Sequence, residues 1–136
     1  MKSILLDTNA YSALVNGDSH VLAILRIATS IQIPLIVVAE LRAGFKKGSK
    51  IQENEVILSA FLTKSIVVMP DLETTQYYAR VYGHLQSKGR LIPTNDIWIT
   101  ALALQHRLTL LTFDSHFREV ERIRVVQTIE EFLDVT

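Results

Sequence analysis

The 136-residue chain contains no cysteine, which excludes disulfides, thiolate metal sites and cysteine nucleophiles together. It also lacks net charge, since 14 Lys and Arg balance 14 Asp and Glu. Any binding of nucleic acid must therefore rest on a local basic patch and not on a global positive field. No apolar run approaches the roughly 18 residues needed to span a bilayer. The apolar start, Ile4-Leu5-Leu6, is too short for a signal peptide, and together with the missing cysteine this suits a cytoplasmic location. No internal repeat, low-complexity stretch or linker divides the chain. P-loop, Gly-x-Gly-x-x-Gly and Gly-x-Ser-x-Gly patterns are all missing. His20, His84, His106 and His116 fall into no metal-ligand spacing, and His116 reads as a surface helix residue. What the chain does have is apolar content, 49% hydrophobic against 21% charged residues. That supports a globular core and is incompatible with disorder. The length fits one domain over residues 1–136.

Short apolar runs alternate with helical patterns along the chain. Strands are expected at 4–6, 31–35, 66–69, 108–113 and 124–127. Helices are expected at 11–15, closed near Gly17, and from Asp18 and Ser19 to Ala28. Further helices should run from Val37 to Phe45, over 51–62, from an Asp71 cap to just before Gly89, over 97–106 behind Thr94-Asn95-Asp96, and over 129–133. Strands that alternate with helices imply an α/β fold, a three-layer α/β/α sandwich around a mainly parallel sheet of four to five strands.

Four acids stand out by position. Asp7 closes the first strand and Asp114 the fourth, and in open parallel sheets ligands bind beyond the carboxyl ends of the strands. Glu40 lies in the apolar setting Ile-Pro-Leu-Ile-Val-Val-Ala-Glu-Leu, and Asp96 opens an apolar helix. Each has an ordinary reading: Asp7 as a turn former, Asp96 as a helix cap, Asp114 as a turn or cap, Glu40 on a solvated helix face. Taken together, they gather near one sheet edge with few lysines or arginines beside them in sequence. Carboxylates about 4 Å apart repel by about 4 kcal/mol at an effective dielectric near 20. Protonation or a divalent cation must relieve that repulsion. A donor set of oxygens alone, with no Cys and no His, favours Mg²⁺ or Mn²⁺ over Zn²⁺. Such an ion serves in-line displacement at a phosphodiester.

The segments that carry these acids are Leu-Leu-Asp7-Thr8-Asn9 with Ser12-Ala13-Leu14, Ala39-Glu40-Leu41 with Gly44, Asn95-Asp96-Ile97-Trp98-Ile99-Thr100-Ala101, and Leu111-Thr112-Phe113-Asp114-Ser115-His116-Phe117. In this order and spacing the chain resembles the PIN-domain nucleases, and among them the VapC-like toxins of toxin–antitoxin pairs. The resemblance runs from the first strand to the last. It implies a metal-binding acidic quartet of Asp7, Glu40, Asp96 and Asp114, with the Thr112 hydroxyl setting the geometry. It also implies that Thr8 and Asn9 shape the turn after the first strand, Asn9 orienting a carboxylate through its amide. The implied activity is a Mg²⁺-dependent endoribonuclease, Mn²⁺ substituting, that leaves a 5′-phosphate and a 3′-hydroxyl. A homodimer is implied too, together with an antitoxin whose tail lies in a groove between helices that Leu14, Leu25, Leu41 and Phe45 could line. Pro34 and Val37 depart from the family's frequent Ser or Thr before the Glu-Leu pair.

Basic residues cluster at Arg42, Lys46, Lys47 and Lys50, at Lys88 and Arg90, and at Arg118, Arg122 and Arg124. Of these, Arg42, Lys46 and Lys47 are the candidates for RNA phosphate contact, and a solvated face is the ordinary alternative. Competing functions are a structure-specific DNA nuclease, a non-catalytic RNA-binding domain and a receiver-like signalling domain. The receiver reading wants two adjacent acids before the acceptor Asp and a Lys after a later strand. Here Ile4-Leu5-Leu6 precedes Asp7, and 108–113 contains no Lys.

Overall fold

A computed structural model describes residues 2–134. Five strands, β1 (Ser3–Leu6), β2 (Ser30–Pro34), β3 (Ile66–Val68), β4 (Thr109–Leu111) and β5 (Val125–Val126), form a sheet in the order β3-β2-β1-β4-β5. All four pairings are parallel. The helices are α1 (Thr8–Val15), α2 (Ser19–Ile27), α3 (Leu35–Phe45), α4 (Ile51–Leu62), α5 (Leu72–Ser87), α6 (Thr94–Gln105) and α7 (Ile129–Asp134), with a 3₁₀ turn at Ser115–Glu119. The α/β sandwich with a parallel sheet is as the sequence led us to expect, at the upper strand count.

The continuous apolar run of β1 exists because both its faces are covered. Leu5 packs with Ile33 and Leu110 against Val37, Val38 and Leu41 of α3, Leu58 of α4 and Ile99 and Leu102 of α6. Ile4, Leu6 and Leu111 face the other way, onto Ala10 of α1, Val21 and Ile24 of α2, and Phe132 of α7. Helix α5 lies outside α6, joined to it through Val81, Leu85 and Ile97.

The chain leaves β1 toward β2 and β3 and later returns to its other side as β4 and β5. The sheet order therefore reverses at the β1/β4 junction, where ligand sites of open α/β sheets form. Leu6 pairs with Leu111 as the last rung, and the Asp7 N–H reaches the Leu111 carbonyl at 3.4 Å. Asp7 and Thr112, 105 positions apart, thus emerge side by side.

Several boundaries differ from the sequence reading, each for a local reason. Helix α3 starts at Leu35 and not at Val37, because Pro34 (φ −66°, ψ 144°) serves as both the last strand residue and the helix cap position. Glu40 keeps its face regardless, since the helical phase is set by buried Val37, Val38 and Leu41. Helix α6 starts at Thr94 and not at Ile97, with Pro93 in the cap position and no side-chain cap. Asp96 is consequently not a cap but a first-turn residue, and its carboxylate is free to project. Helix α1 begins at Thr8 with Asp7 as its cap, three residues earlier than expected, and α5 opens with the anticipated Asp71 cap, reinforced by Thr74.

Candidate active site

Asp7, Glu40, Asp96 and Asp114 line one cavity of about 490 Å³ at the β1/β4 junction, together with Thr8, Asn9, Ser12, Asn95 and His116. Lysine and arginine are not among its lining residues, so the local potential is set by carboxylates.

Asp7 is 4% exposed. Its Oδ1 accepts the Ala10 N–H at 3.0 Å, which caps α1. Its Oδ2 accepts a hydrogen bond from the Thr112 hydroxyl. Burial pushes the carboxyl up to about 6; the charges of Asp96 and Asp114 add to the rise, and the bonds from Thr112 and Ala10 oppose it. Thr112 is itself fully buried, and its oxygen accepts the Asp114 N–H at 3.0 Å. One hydroxyl therefore ties the first acid to the backbone of the last.

Glu40 is held at both oxygens. The Thr8 hydroxyl donates to Oε1 at 2.8 Å and the Asn95 amide to Oε2 at 3.3 Å. The residue that orients a carboxylate after β1 is thus Thr8. Asn9, expected in that role, instead accepts the Phe113 N–H at 3.0 Å and pins α1 to the segment after β4.

Asp96 projects from the first turn of α6, where a carboxylate also favours the positive end of the helix dipole. Its pKa is raised by burial first and by the Asp114 and Glu40 charges next, with His116 pulling the other way. Asp114 caps the 3₁₀ turn by accepting the His116 N–H at 3.0 Å. The His116 ring folds back so that Nδ1 lies 3.2 Å from Asp114 Oδ1 and 3.4 Å from Asp96 Oδ2. From sequence His116 reads as a surface helix residue, and its side chain is half exposed; what the sequence does not show is that the ring turns back onto the acids. The signal lay in its neighbour: Phe117 is fully buried, and in a 3₁₀ turn the preceding side chain points about 120° away from it.

Arg42, Lys46 and Lys47 do not line the cavity. Arg42 Nε lies 3.2 Å from Glu55 Oε1, an ion pair on the α3/α4 surface.

Ligand atoms of Asp96, Asp114 and His116 lie within 4.8 Å of one another. Two carboxylate charges within that separation repel by at least about 3.5 kcal/mol at an effective dielectric of 20. Four carboxylates around one cavity, two of them with raised pKa, form an oxygen-rich donor set that fits a hard divalent cation. Replacing Thr112 by Val leaves the buried Asp7 Oδ2 without its partner and removes the acceptor of the part-buried Asp114 N–H. It should destabilise the fold by about 1–3 kcal/mol in urea unfolding, whereas Ser, which keeps the hydroxyl, should stay close to the parent.

The sequence profile of the PIN domain matches residues 4–123. Ribonuclease VapC2 of Rickettsia felis is 32% identical over 123 residues, covering 88% of this chain and 90% of its own length. Ribonuclease VapC5 of Mycobacterium tuberculosis is 27% identical over 128 residues, 91% of this chain and 92% of its own. Among solved structures, that of VapBC2 from Rickettsia felis bound to a DNA fragment from its promoter superposes with a TM-score of 0.84 at 28% identity, covering 91% of this chain and 97% of that one.

Proposed function

The chain belongs to the PIN-domain family, and on that premise we propose that it is a divalent-cation-dependent endoribonuclease, the toxin of a toxin–antitoxin pair. The observation that carries this reading is the cavity itself, where four acids meet and one of them, Asp7, is pushed up to about 6, chiefly by burial and further by the charges of Asp96 and Asp114. Mg²⁺ is the cation proposed, with Mn²⁺ substituting, and residues 1–136 act as one domain in the cytoplasm.

Asp7, Asp96 and Asp114 would hold the cation directly, with Glu40 beside them. When bound, it supplies charge compensation and an activated water to a phosphodiester. Thr112 keeps Asp7 and Asp114 in register. Thr8 and Asn95 donate to both oxygens of Glu40 and hold it toward the cavity. Water adds to phosphorus in line with the 3′ oxygen, the P–O3′ bond breaks, and the 3′ oxygen leaves with a proton. The products are a 5′-phosphate and a 3′-hydroxyl.

Cleavage of a bacterial total-RNA preparation, and of single- and double-stranded DNA of matched sequence, tests the substrate class. RNA fragments with 5′-monophosphate ends and intact DNA are expected. DNA cut at comparable rates would replace this reading with the DNA-nuclease alternative.

The antitoxin partner is proposed to lie in a second cleft, of about 180 Å³ between α1, α3 and α4, lined by Tyr11, Val15, Leu41, Phe45, Asn54 and Ile57. Val15 and Ile57 are exposed there, and the buried Tyr11 hydroxyl has no hydrogen-bond partner among the described residues. Of the residues expected to line a groove, Leu41 and Phe45 do so, while Leu14 and Leu25 pack on the interior beneath α1 and α2. Val15→Glu should weaken association with the cognate antitoxin by tenfold or more, on the order of a moderate interface anchor. RNA cleavage by the free toxin should be unchanged, as titration calorimetry and a cleavage assay would establish. The same reading includes a homodimer. It leaves Arg42, Lys46 and Lys47 as candidate RNA contacts outside the cavity.

A further inference from the structure

We propose that His116 is a nitrogen ligand of the cation site and that it tilts the site toward Mn²⁺ over Mg²⁺. This rests on the reading of the four acids as a cation site and adds to it a residue and a selectivity. From sequence the site is a set of oxygens with no histidine. In the fold an imidazole stands among them.

The ring stands between two carboxylates, where a ligand of a shared ion would be. Nδ1 is nearly equidistant from two carboxylate oxygens, 3.2 Å from Asp114 and 3.4 Å from Asp96. A single ring N–H cannot point at both, and 3.4 Å lies beyond the usual N–H···O range. Two donors each about 2.1 Å from a shared ion, at right angles, stand about 3.0 Å apart. The two separations from Nδ1 exceed that by a few tenths of an ångström, and all three ligand atoms lie within 4.8 Å of one another, so a modest adjustment brings them onto one ion.

The fold holds the ring there without help from a ligand. Phe117 is fully buried in the core on the α3/α6 side of the sheet and anchors the 3₁₀ turn. Asp114 Oδ1 accepts the His116 backbone N–H at 3.0 Å, so the backbone that carries the imidazole is tied to the acid it would share an ion with. The side chain is 49% exposed, which leaves the ring free to adjust.

Nitrogen changes which cation is favoured. Mg²⁺ is a hard ion that prefers an octahedron of oxygens and retains its waters, so an imidazole adds little to its binding. First-row transition ions gain from imidazole, and among them Mn²⁺ is the one best suited to a shell otherwise made of carboxylates. The expected result is a site that both ions enter and that Mn²⁺ occupies first.

The test uses the metal-free full chain and Mn²⁺ itself, with His116→Gln and His116→Ala beside the parent and Asp96→Asn as a reference. Electron spin-echo modulation of the Mn²⁺-loaded parent should show directly bound ¹⁴N, and both His116 variants should lose it. Competition followed by the free-Mn²⁺ resonance should show the Mn²⁺/Mg²⁺ affinity ratio falling by about tenfold in His116→Gln, the lower end of what a metal-site contact commonly contributes. Circular dichroism confirms the fold of the variants, whose cap on the 3₁₀ turn uses a backbone N–H and is retained. Stoichiometric Mn²⁺ without ¹⁴N coupling, or an unchanged ratio in His116→Gln, overturns the proposal while leaving the four acids as a cation site. Absence of Mn²⁺ binding in the parent, or binding that Asp96→Asn does not weaken, overturns both.

Discussion

Asp96→Asn should lower RNA cleavage by at least about a hundredfold, at or above the upper end of what contacts around a metal ligand contribute, while the metal-free protein becomes no less stable. The two effects have separate origins. Asp96 stands in the first turn of α6, but the turn does not depend on its side chain. Pro93 occupies the cap position, and the Asp96 N–H bonds to the Pro93 carbonyl at 3.0 Å. Asn is nearly isosteric, so the helix should start where it did. What is lost is one charge from a cluster whose Asp114 and His116 atoms lie within 4.8 Å. A cation then has one anionic ligand fewer. The same loss relieves a folded state in which burial and the Asp114 and Glu40 charges disfavour ionised Asp96. In EDTA at pH 8 the variant should therefore melt at or above the temperature of the parent. Initial cleavage rates and thermal melts on the same preparations check both halves. A variant that cleaves normally contradicts the assignment of Asp96, and one that unfolds contradicts the placement of its carboxylate outside the cap.

The second large effect concerns pH. Asp7 titrates from an ordinary 3.8 in the unfolded chain to about 6 in the fold, chiefly through burial. The folded state therefore binds this proton more tightly than the unfolded state. Well below pH 3.8 both states are protonated and the group contributes no difference. As pH rises from about 4 to 6 the unfolded chain ionises first and the fold loses stability. Above pH 6 the whole penalty, on the order of 3 kcal/mol, is in place. Asp7→Asn should remove this dependence. Asn is as good a helix cap as Asp, so the bond from Ala10 to Oδ1 survives, but the Thr112 hydroxyl must turn to accept the new amide N–H. With the ionisation penalty removed, at pH 8 in EDTA the variant should be at least as stable as the parent. Its cleavage activity should nevertheless be lost with that of Asp96→Asn. A divalent cation reverses the trend, because it binds carboxylates in their ionised form. Mn²⁺ should therefore raise stability more at pH 8 than at pH 5. Urea unfolding across pH 4–8, with EDTA and then with Mn²⁺, yields the parent-minus-variant difference. A flat difference in EDTA would mean that Asp7 is not held in a desolvated state.

The strand–helix alternation and the four acid-bearing segments were legible because each is a local pattern. Ile4-Leu5-Leu6 and the run ending at Phe113 are apolar stretches closed by an acid, and a parallel sheet places both acids at one edge. Glu40 was legible once the stripe of Val37, Val38 and Leu41 set the helical phase. What the sequence concealed depends on contacts between distant segments. The Thr112–Asp7 bond follows from the Leu6–Leu111 rung of β1 and β4, which no local pattern encodes, and only family resemblance pointed to Thr112. The exchange of duties between Thr8 and Asn9 depends on how far α1 sits from α3 and from the end of β4. Prolines misplaced two helix starts, because Pro34 and Pro93, read as stops or leads, each hold the cap position. His116 was hidden because its significance comes from Phe117 turning inward. Arg42, read as a phosphate contact, meets Glu55 from a neighbouring helix, a partner 13 positions away.

The most direct measurement adds Mn²⁺ back to EDTA-stripped protein, purified free of antitoxin, and follows cleavage of one RNA that the untreated protein cuts, with Asp96→Asn in parallel. Fragments carrying 5′-phosphates should return in proportion to bound Mn²⁺ in the parent and stay absent in the variant. Cleavage that persists in EDTA, or that Asp96→Asn performs as well as the parent, would contradict a cation held by these acids as the agent of the reaction.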